Sequence, residues 1–408
     1  MTGRDAGVSP TAAAGPPDRR LWLTRNLKVV SAVSFLQDAA SELLYPILPI
    51  FITSVLGAPA AVVGLVEGLA EGAAAVARIA TGRVADRLAY RPLIALGYGL
   101  AALGKILVAV ATVWPVVLAG RGVDRLGKGV RGVPRDALIA ADAPAGARGR
   151  AFGFHRSMDT AGAVVGPLIG LGAYHLLNQQ IRPLLLIAVV PAVLSVLLVA
   201  ALREPPRPAP TTHRPPSAAS WRPRELAPAF WRAVAPLTAF SLVNFPDALL
   251  LLRLSEIGFS VTGVILAYVG YNSVYALLSY PAGVLADKYP PSRVFALGLA
   301  FFAIAYTGLG LTRSPTVACL LLLVYGGFTA CTDGVGKAWI SSLAPGHLQG
   351  TAQGVFQGLA SGGILLAGIW AGLAWGENGR VPLLISGLTA AALAVTFLAR
   401  RPDAPASP

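Results

Sequence analysis

RGVDRLGKGVRGVPRD, residues 121–136, decides how the rest of the chain folds. The stretch carries Arg121, Asp124, Arg125, Lys128, Arg131, Arg135 and Asp136, and it follows directly on an apolar run, WPVVLAG. On an α-helix turning about 100° per residue, these charges fall within roughly 140° of one face. A solvated surface helix would show the same row. In a chain built of hydrophobic segments, the row instead faces the inside of a membrane bundle. Charge there is expensive and marks a pathway or its internal ion pairs.

The surrounding composition supports that choice. Of 408 residues, 55% are hydrophobic and only 13% charged, with a mean hydropathy of +0.65. That charged share is about half of what soluble domains carry, so the chain reads as an integral membrane protein. Glycine is abundant, 45 residues, which suits close helix packing in a bilayer. Cys319 and Cys331 lie on one apolar segment, about 18 Å apart along a helix, too far to bridge, and read as small core residues. No signal peptide is evident: the apolar run after residue 28 is too long for one and contains Asp38 and Glu42.

Working outward, twelve segments have spanning length: about 29–54, 61–82, 92–113, 115–140, 151–177, 182–202, 233–255, 260–284, 293–312, 315–343, 350–375 and 380–399. The expected fold class is therefore all-α, twelve transmembrane helices in two six-helix repeats. The halves span 29–202 and 233–400. The Pro-rich, basic stretch 203–225 marks a linker over 203–232, and 1–28 and 401–408 are tails. With the N-terminus inside, 22 of the 33 basic residues fall on the inner side against four outside, Arg135 and Arg156 among the inner ones. The positive-inside rule then places both termini in the cytoplasm and the protein in the cytoplasmic membrane. The net charge of +14 is mostly topology and needs no nucleic-acid partner.

The halves repeat. GRVADR at 82–87 matches GVLADK at 283–288 at an offset of 201, and the same offset aligns Ala143, Pro144, Gly149, Ala151 and Gly153 with Ala344, Pro345, Gly350, Ala352 and Gly354. Parallel repeats of six spans are a transporter architecture, with the binding site between them near the midplane.

At these residues the chain resembles the major facilitator superfamily. Gly82, Asp86, Arg87 and Arg91 are similar to that family's loop after its second helix, with Ala89 where a second glycine is usual. Gly283, Asp287 and Lys288 are the shorter copy. The resemblance implies a latch that holds the cytoplasmic side shut in one state. Gly162, Gly166, Pro167 and Gly170 are similar to the fifth-helix pattern of the family's antiporter branch, which implies export. Physically, the three glycines share one helix face and Pro167 bends the helix.

The candidate working charges follow. Asp38 and Glu42 lie one turn apart on the first span, and Glu67 and Glu71 one turn apart on the second, with Arg78 two turns on. Lys105 is on the third span, and His155, Arg156 and Asp159 are on the fifth. A carboxylate held between burial, which favours its proton, and a nearby base, which opposes it, can exchange that proton near neutral pH. Asp38, Glu42, Glu67, Glu71 and Asp159 are such candidates, with Arg121, Asp124, Arg125 and Lys128 holding their expected partners. The second half is poorer in charge, with Asp247, Arg253, Glu256, Asp333 and Lys337. Tyr268, Tyr271 and Tyr275 form a stripe on the eighth span that is either packing or, with Asn244 and Asn272, a cavity wall for an amphipathic solute.

No Walker-type phosphate loop and no metal-spaced His/Cys cluster is present. The expectation is a secondary active transporter, a monomer in the lipid bilayer with no cofactor. It exports a small organic compound against protons by alternating access. The alternative is an organic-anion or metabolite carrier using Arg121, Arg125 and Lys128. A membrane enzyme would need a catalytic cluster where only His155 is suggestive. A non-transporting sensor or scaffold is the remote remainder.

Overall fold

The computed structural model describes residues 22–45, 48, 51–58, 60–178, 180–204, 226–376 and 378–399. The described residues form α-helices and no strand. The first half contains α1 (Arg25–Leu44), α2 (Ala60–Ala85), α3 (Tyr90–Ala109), α4 (Trp114–Asp142), α5 (Arg148–Leu176) and α6 (Ile181–Val199). The second contains α7 (Pro228–Ser241), α8 (Asp247–Ile257), α9 (Val261–Lys288), α10 (Pro291–Leu311), α11 (Pro315–Leu343), α12 (Gln349–Leu373) and α13 (Arg380–Ala399).

The seventh span departs from expectation. It is not one helix over 233–255 but two, α7 and α8, with residues 242–246 unwound between them. Pro246 explains the break, since it has no N–H to continue the ladder and disfavours helix in the residue before it. Gly258, at φ +108, then closes α8 in the left-handed conformation. Helix α7 starts at Pro228, so 228–232 belongs to the second half rather than to the linker. Helix α1 starts at Arg25, and a π-helical turn, Phe51–Val55, is a separate element after it. The remaining linker and both tails lie largely outside the described residues.

Seven helices are long and apolar enough to span a bilayer on composition: α3, α6 and α9–α13. The others are α1, α2, α4 and α5, which carry the interior charges, and the split pair α7/α8. Large apolar side chains such as Leu96, Leu186, Leu197, Ile304 and Leu388 are exposed. A water-soluble protein rarely shows so much apolar surface, and here it faces lipid.

Inside the first half, α3 and α4 are packed backbone to backbone. A Cβ on Gly97 would lie 2.7 Å from the Arg131 nitrogen, and one on Gly104 would lie 2.6 Å from the Asp124 nitrogen. The second half is filled instead by aromatics: Phe240, Phe302, Tyr306, Tyr325 and Phe328 form one cluster. Of the cysteines, Cys331 is buried there, Cys319 is partly buried, and both are free thiols. The halves meet along two helix pairs, α5 with α9 and α2 with α12. The 201-residue offset carries α2 onto α9 and α5 onto α12, so one contact is the pseudo-symmetric copy of the other.

Candidate functional site

At one end of the bundle the repeated loops lock the halves together. Asp86, just past α2, accepts from the Gly350 amide at 2.6 Å, the Thr351 amide at 2.7 Å and the Thr351 hydroxyl, all at the start of α12. In the copy, Asp287 accepts from the Gly149 amide at 2.7 Å, the Arg150 amide at 3.0 Å and Arg150 Nε at 2.8 Å, at the start of α5. Each carboxylate thus caps a helix N-terminus of the opposite half, where unsatisfied amides and the helix dipole favour negative charge. Burial pushes the Asp86 carboxyl up from its ordinary pKa, and the Thr351 hydroxyl and the two amides oppose it. Glycine is required for this approach. A Cβ on Gly82 would lie 2.8 Å from the Gly354 Cα, and one on Gly283 would lie 3.1 Å from the Gly153 Cα. Arg87 and Lys288 are exposed, while Arg91 donates to the Ala200 carbonyl at 2.9 Å and ties α3 to the end of α6.

Above the latch lies a layer of charge that crosses between the halves. Arg156 on α5 pairs with Asp159 at 2.6 Å and with Asp333 on α11, and it donates to the Tyr275 hydroxyl. Tyr275 donates to Asp333 at 2.8 Å. Lys337 on α11 pairs with Asp136 on α4 at 3.1 Å and with Asp333 at 3.5 Å, and Gln357 on α12 donates to Asp136 at 3.0 Å. Arg135 pairs with Asp136 at 3.0 Å and reaches Asp159 at 3.9 Å. The Asp136 side chain has no solvent exposure at all. Such pairs lose more from breaking one partner than they gain over an apolar core.

The charged face of α4 does point inward, but its pairing differs from the sequence reading. Arg121 bonds Asp124 on its own helix at 3.4 Å, and Lys105 bonds the same carboxylate at 2.9 Å. Arg125 pairs with Glu71 at 3.2 Å, so Glu71 does have a base beyond Arg78. Arg78 instead donates to Ser361 on α12 at 2.7 Å. Arg131 stacks over Tyr98, 4.6 Å from the ring centre. Arg135 and Arg156, counted among the inner-side charges, lie within α4 and α5, and both make ion pairs inside the bundle.

Asp38 and Lys128 remain. Neither has a hydrogen bond or ion pair among the described residues, though each lies in the field of the other. Lys128 is accessible yet deep in the bundle, surrounded by Arg125, Glu71, Asp38 and Arg78. Glu42 accepts from Tyr268 of the other half at 3.4 Å. Glu67 sits on α2, and its side chain lies outside the described residues. His155 is buried, with its Nδ1 3.3 Å from the Ser31 hydroxyl.

The unwound stretch 242–246 borders a cavity of about 340 Å³. Non-helical backbone at membrane depth is tolerated where it lines such a space. Asn244, Asp247, Tyr271, Tyr275 and Asp333 face it, as does Arg156 from the first half. Tyr271 and Tyr275 of the stripe therefore line the cavity, whereas Tyr268 packs against Tyr271 and turns its hydroxyl to Glu42. Asn272 is buried, bonded to the Tyr268 carbonyl at 3.0 Å. On α5, Gly162 and Gly166 pack into α1, where a Cβ would lie 3.0 Å from the Ala39 and Leu43 nitrogens respectively, and Gly170 meets Leu43 at 3.4 Å. Pro167 lies inside that helix.

Sequence reasoning named Arg156 and Asp136 only among the charges of the fifth span and of the opening row, without a role, and did not name Gln357 or Tyr325. Asp136 belonged to the opening row and Arg156 stands three residues before Asp159, so both carried a signal. Gln357 and Tyr325 carried none, because their partners lie on other helices.

The chain matches the family model described as Major Facilitator Superfamily over residues 30–252 and 239–408. It is 30% identical over 380 residues to an MFS-type transporter of Methanocaldococcus jannaschii, covering 90% of this chain and 94% of that one. It is 26% identical over 329 residues to multidrug resistance protein MdtH of Proteus mirabilis, covering 79% and 80%. The human organic anion transporter MFSD10 shares the fold at a TM-score of 0.72 and 18% identity, over 94% of this chain and 99% of that one.

Proposed function

The chain belongs to the major facilitator superfamily, a multi-pass membrane transporter and not an enzyme, and from that premise we propose that it exports a small organic compound in exchange for protons. The latch end is the cytoplasmic end in this reading. The structure is then the outward-facing half of an alternating-access cycle. The observation that carries the reading is Asp38: an interior carboxylate on α1 with no hydrogen bond or ion pair among the described residues, beside a network in which the other carboxylates are already matched. A carboxylate in that position is free to take and release a proton. Its nearest electrostatic neighbours include Asp159 and Lys128, so its charge state is felt by the residues that bind the halves together. The similarity to a multidrug resistance protein supports export.

The test is flux in proteoliposomes under an imposed pH gradient. Asp38→Asn is expected to lower gradient-driven transport at least tenfold while leaving substrate binding within about threefold. Unchanged gradient dependence in that variant would remove proton antiport at Asp38.

A second reading, an organic-anion carrier, is favoured by one feature, the unmatched and accessible ammonium of Lys128. Arg121 and Arg125 do not add to it, being engaged with Asp124 and Glu71. In that case Lys128→Ala, not Asp38→Asn, abolishes substrate binding.

A further inference from the structure

The geometry points to a binding subsite for an organic cation at Asp247, an ammonium group on an apolar or aromatic body. Asp247 is the first residue of α8, where the dipole of a helix N-terminus suits an acid. That accounts for a carboxylate at the position but not for what encloses it. Tyr271 on α9 donates to one carboxylate oxygen at 2.9 Å and Tyr325 on α11 to the other at 2.7 Å. The two rings lie 5.2 Å apart. Both rings line the 340 Å³ cavity together with Phe240, Phe245 and Phe328.

The charge around the cavity does not balance at this end. Arg156, the basic residue lining the space, is held at the other end by Asp159 and Asp333. Arg253, on the same helix as Asp247, is buried and turned away, bonded to the Leu309 and Thr312 carbonyls and to Glu256. Among the described residues no Lys, Arg or His pairs with Asp247. Two neutral hydroxyls orient the carboxylate without cancelling its charge. A carboxylate so held, walled by aromatic faces, attracts a cation twice over, by charge and by cation–π contact. The volume is that of a site for a small organic molecule rather than a bare ion. An anion entering here would meet an uncompensated negative charge.

This inference deepens the proposed function by naming a substrate class for the same interior, and its test is of binding rather than flux. The full chain in detergent or nanodiscs is titrated with radiolabelled benzyltrimethylammonium and, separately, with 3-phenylpropionate as the anion of similar size. Saturable binding of the cation and none of the anion is expected. Asp247→Asn should weaken cation binding at least tenfold, and Asp247→Glu should retain it within about threefold. The double variant Tyr271→Phe/Tyr325→Phe keeps both rings and frees the carboxylate, and should still bind. In the unmodified protein, saturating cation should protect Asp247 from a carbodiimide, read by mass spectrometry; this arm stands even where a variant does not fold. Equal binding by Asp247→Asn, binding of the anion instead, or unprotected Asp247 with the cation bound each overturns the inference. Cation binding at Asp247 without proton-driven flux would leave the subsite standing and remove the antiporter. Flux that ignores Asp247 would do the reverse.

Discussion

Asp333 shows how finely the interior charges are matched. It receives Arg156, Lys337 and the Tyr275 hydroxyl, and it joins the halves because Arg156 stands on α5. Removing one member of such a buried pair leaves the other charge desolvated, at a cost of about 3–5 kcal/mol. Asp333→Asn should therefore lower stability to denaturant or heat by that order. The double variant Arg156→Gln/Asp333→Asn should lie closer to the parent than the two single losses summed, a coupling that a double-mutant cycle reads directly. Additive losses would show that the pair is not a unit. The sequence made Asp333 and Lys337 visible as an i, i+4 pair, yet the cross-half bond to Arg156 was not legible. Residues on different helices declare no spacing, and Arg156 sits close enough to a helix end to look like a loop charge.

Between helices, the decisive residues are the small ones. Gly104 has the Asp124 backbone where a side chain would go, whereas nothing lies within 4 Å of a Cβ on Gly99. Both are on α3, so they separate packing from propensity. Gly104→Ala should destabilise by about 1–3 kcal/mol through overpacking, and Gly99→Ala should be neutral or stabilise by roughly 0.5–1 kcal/mol. Melting curves of the two purified variants check this, and equal behaviour would mean that α3 and α4 can part freely. The number and order of spans and the inward face of α4 were legible, because length, hydropathy and a 3.6-residue period are properties of one segment at a time. The break in the seventh span was not assigned, although Asn244 and Pro246 mark it: apolar residues on both sides mask a short unwinding when only hydropathy is read. The tyrosine stripe on α9 left two meanings open, and only the placement of Tyr325 from α11 makes its Tyr271 and Tyr275 a wall.

For the whole molecule, the 201-residue offset did more than show duplication. It pairs Asp86 with Asp287 and Gly350 with Gly149, the donors and acceptors of the two latches, so the closed interface could be drawn from sequence once the halves were known to face each other. Each latch carboxylate takes charged-acceptor hydrogen bonds worth about 1.5–3 kcal/mol apiece. Asp86→Asn weakens one latch, and Asp86→Asn/Asp287→Asn weakens both. Spin labels placed across that end should show the open population rising by roughly tenfold or more in the double variant, since about 1.4 kcal/mol is a factor of ten. An unmoved distance distribution would mean that the charged layer alone holds the end shut.

The same matching of charge constrains how the chain reaches the bilayer at all. Helix α4 carries Arg121, Asp124, Arg125, Lys128 and Arg131, and an isolated charge at mid-bilayer opposes insertion by about 2.5–3.5 kcal/mol. Its few leucines and valines do not offset that, so the segment released singly from a ribosome would be passed through the translocon rather than retained. Lys105 reaches Asp124 from α3, with 1% exposure, and the glycine seam lets the two backbones pack in direct contact. The third span, apolar enough to cross alone, is therefore expected to hold the fourth in the membrane, the two forming one hairpin.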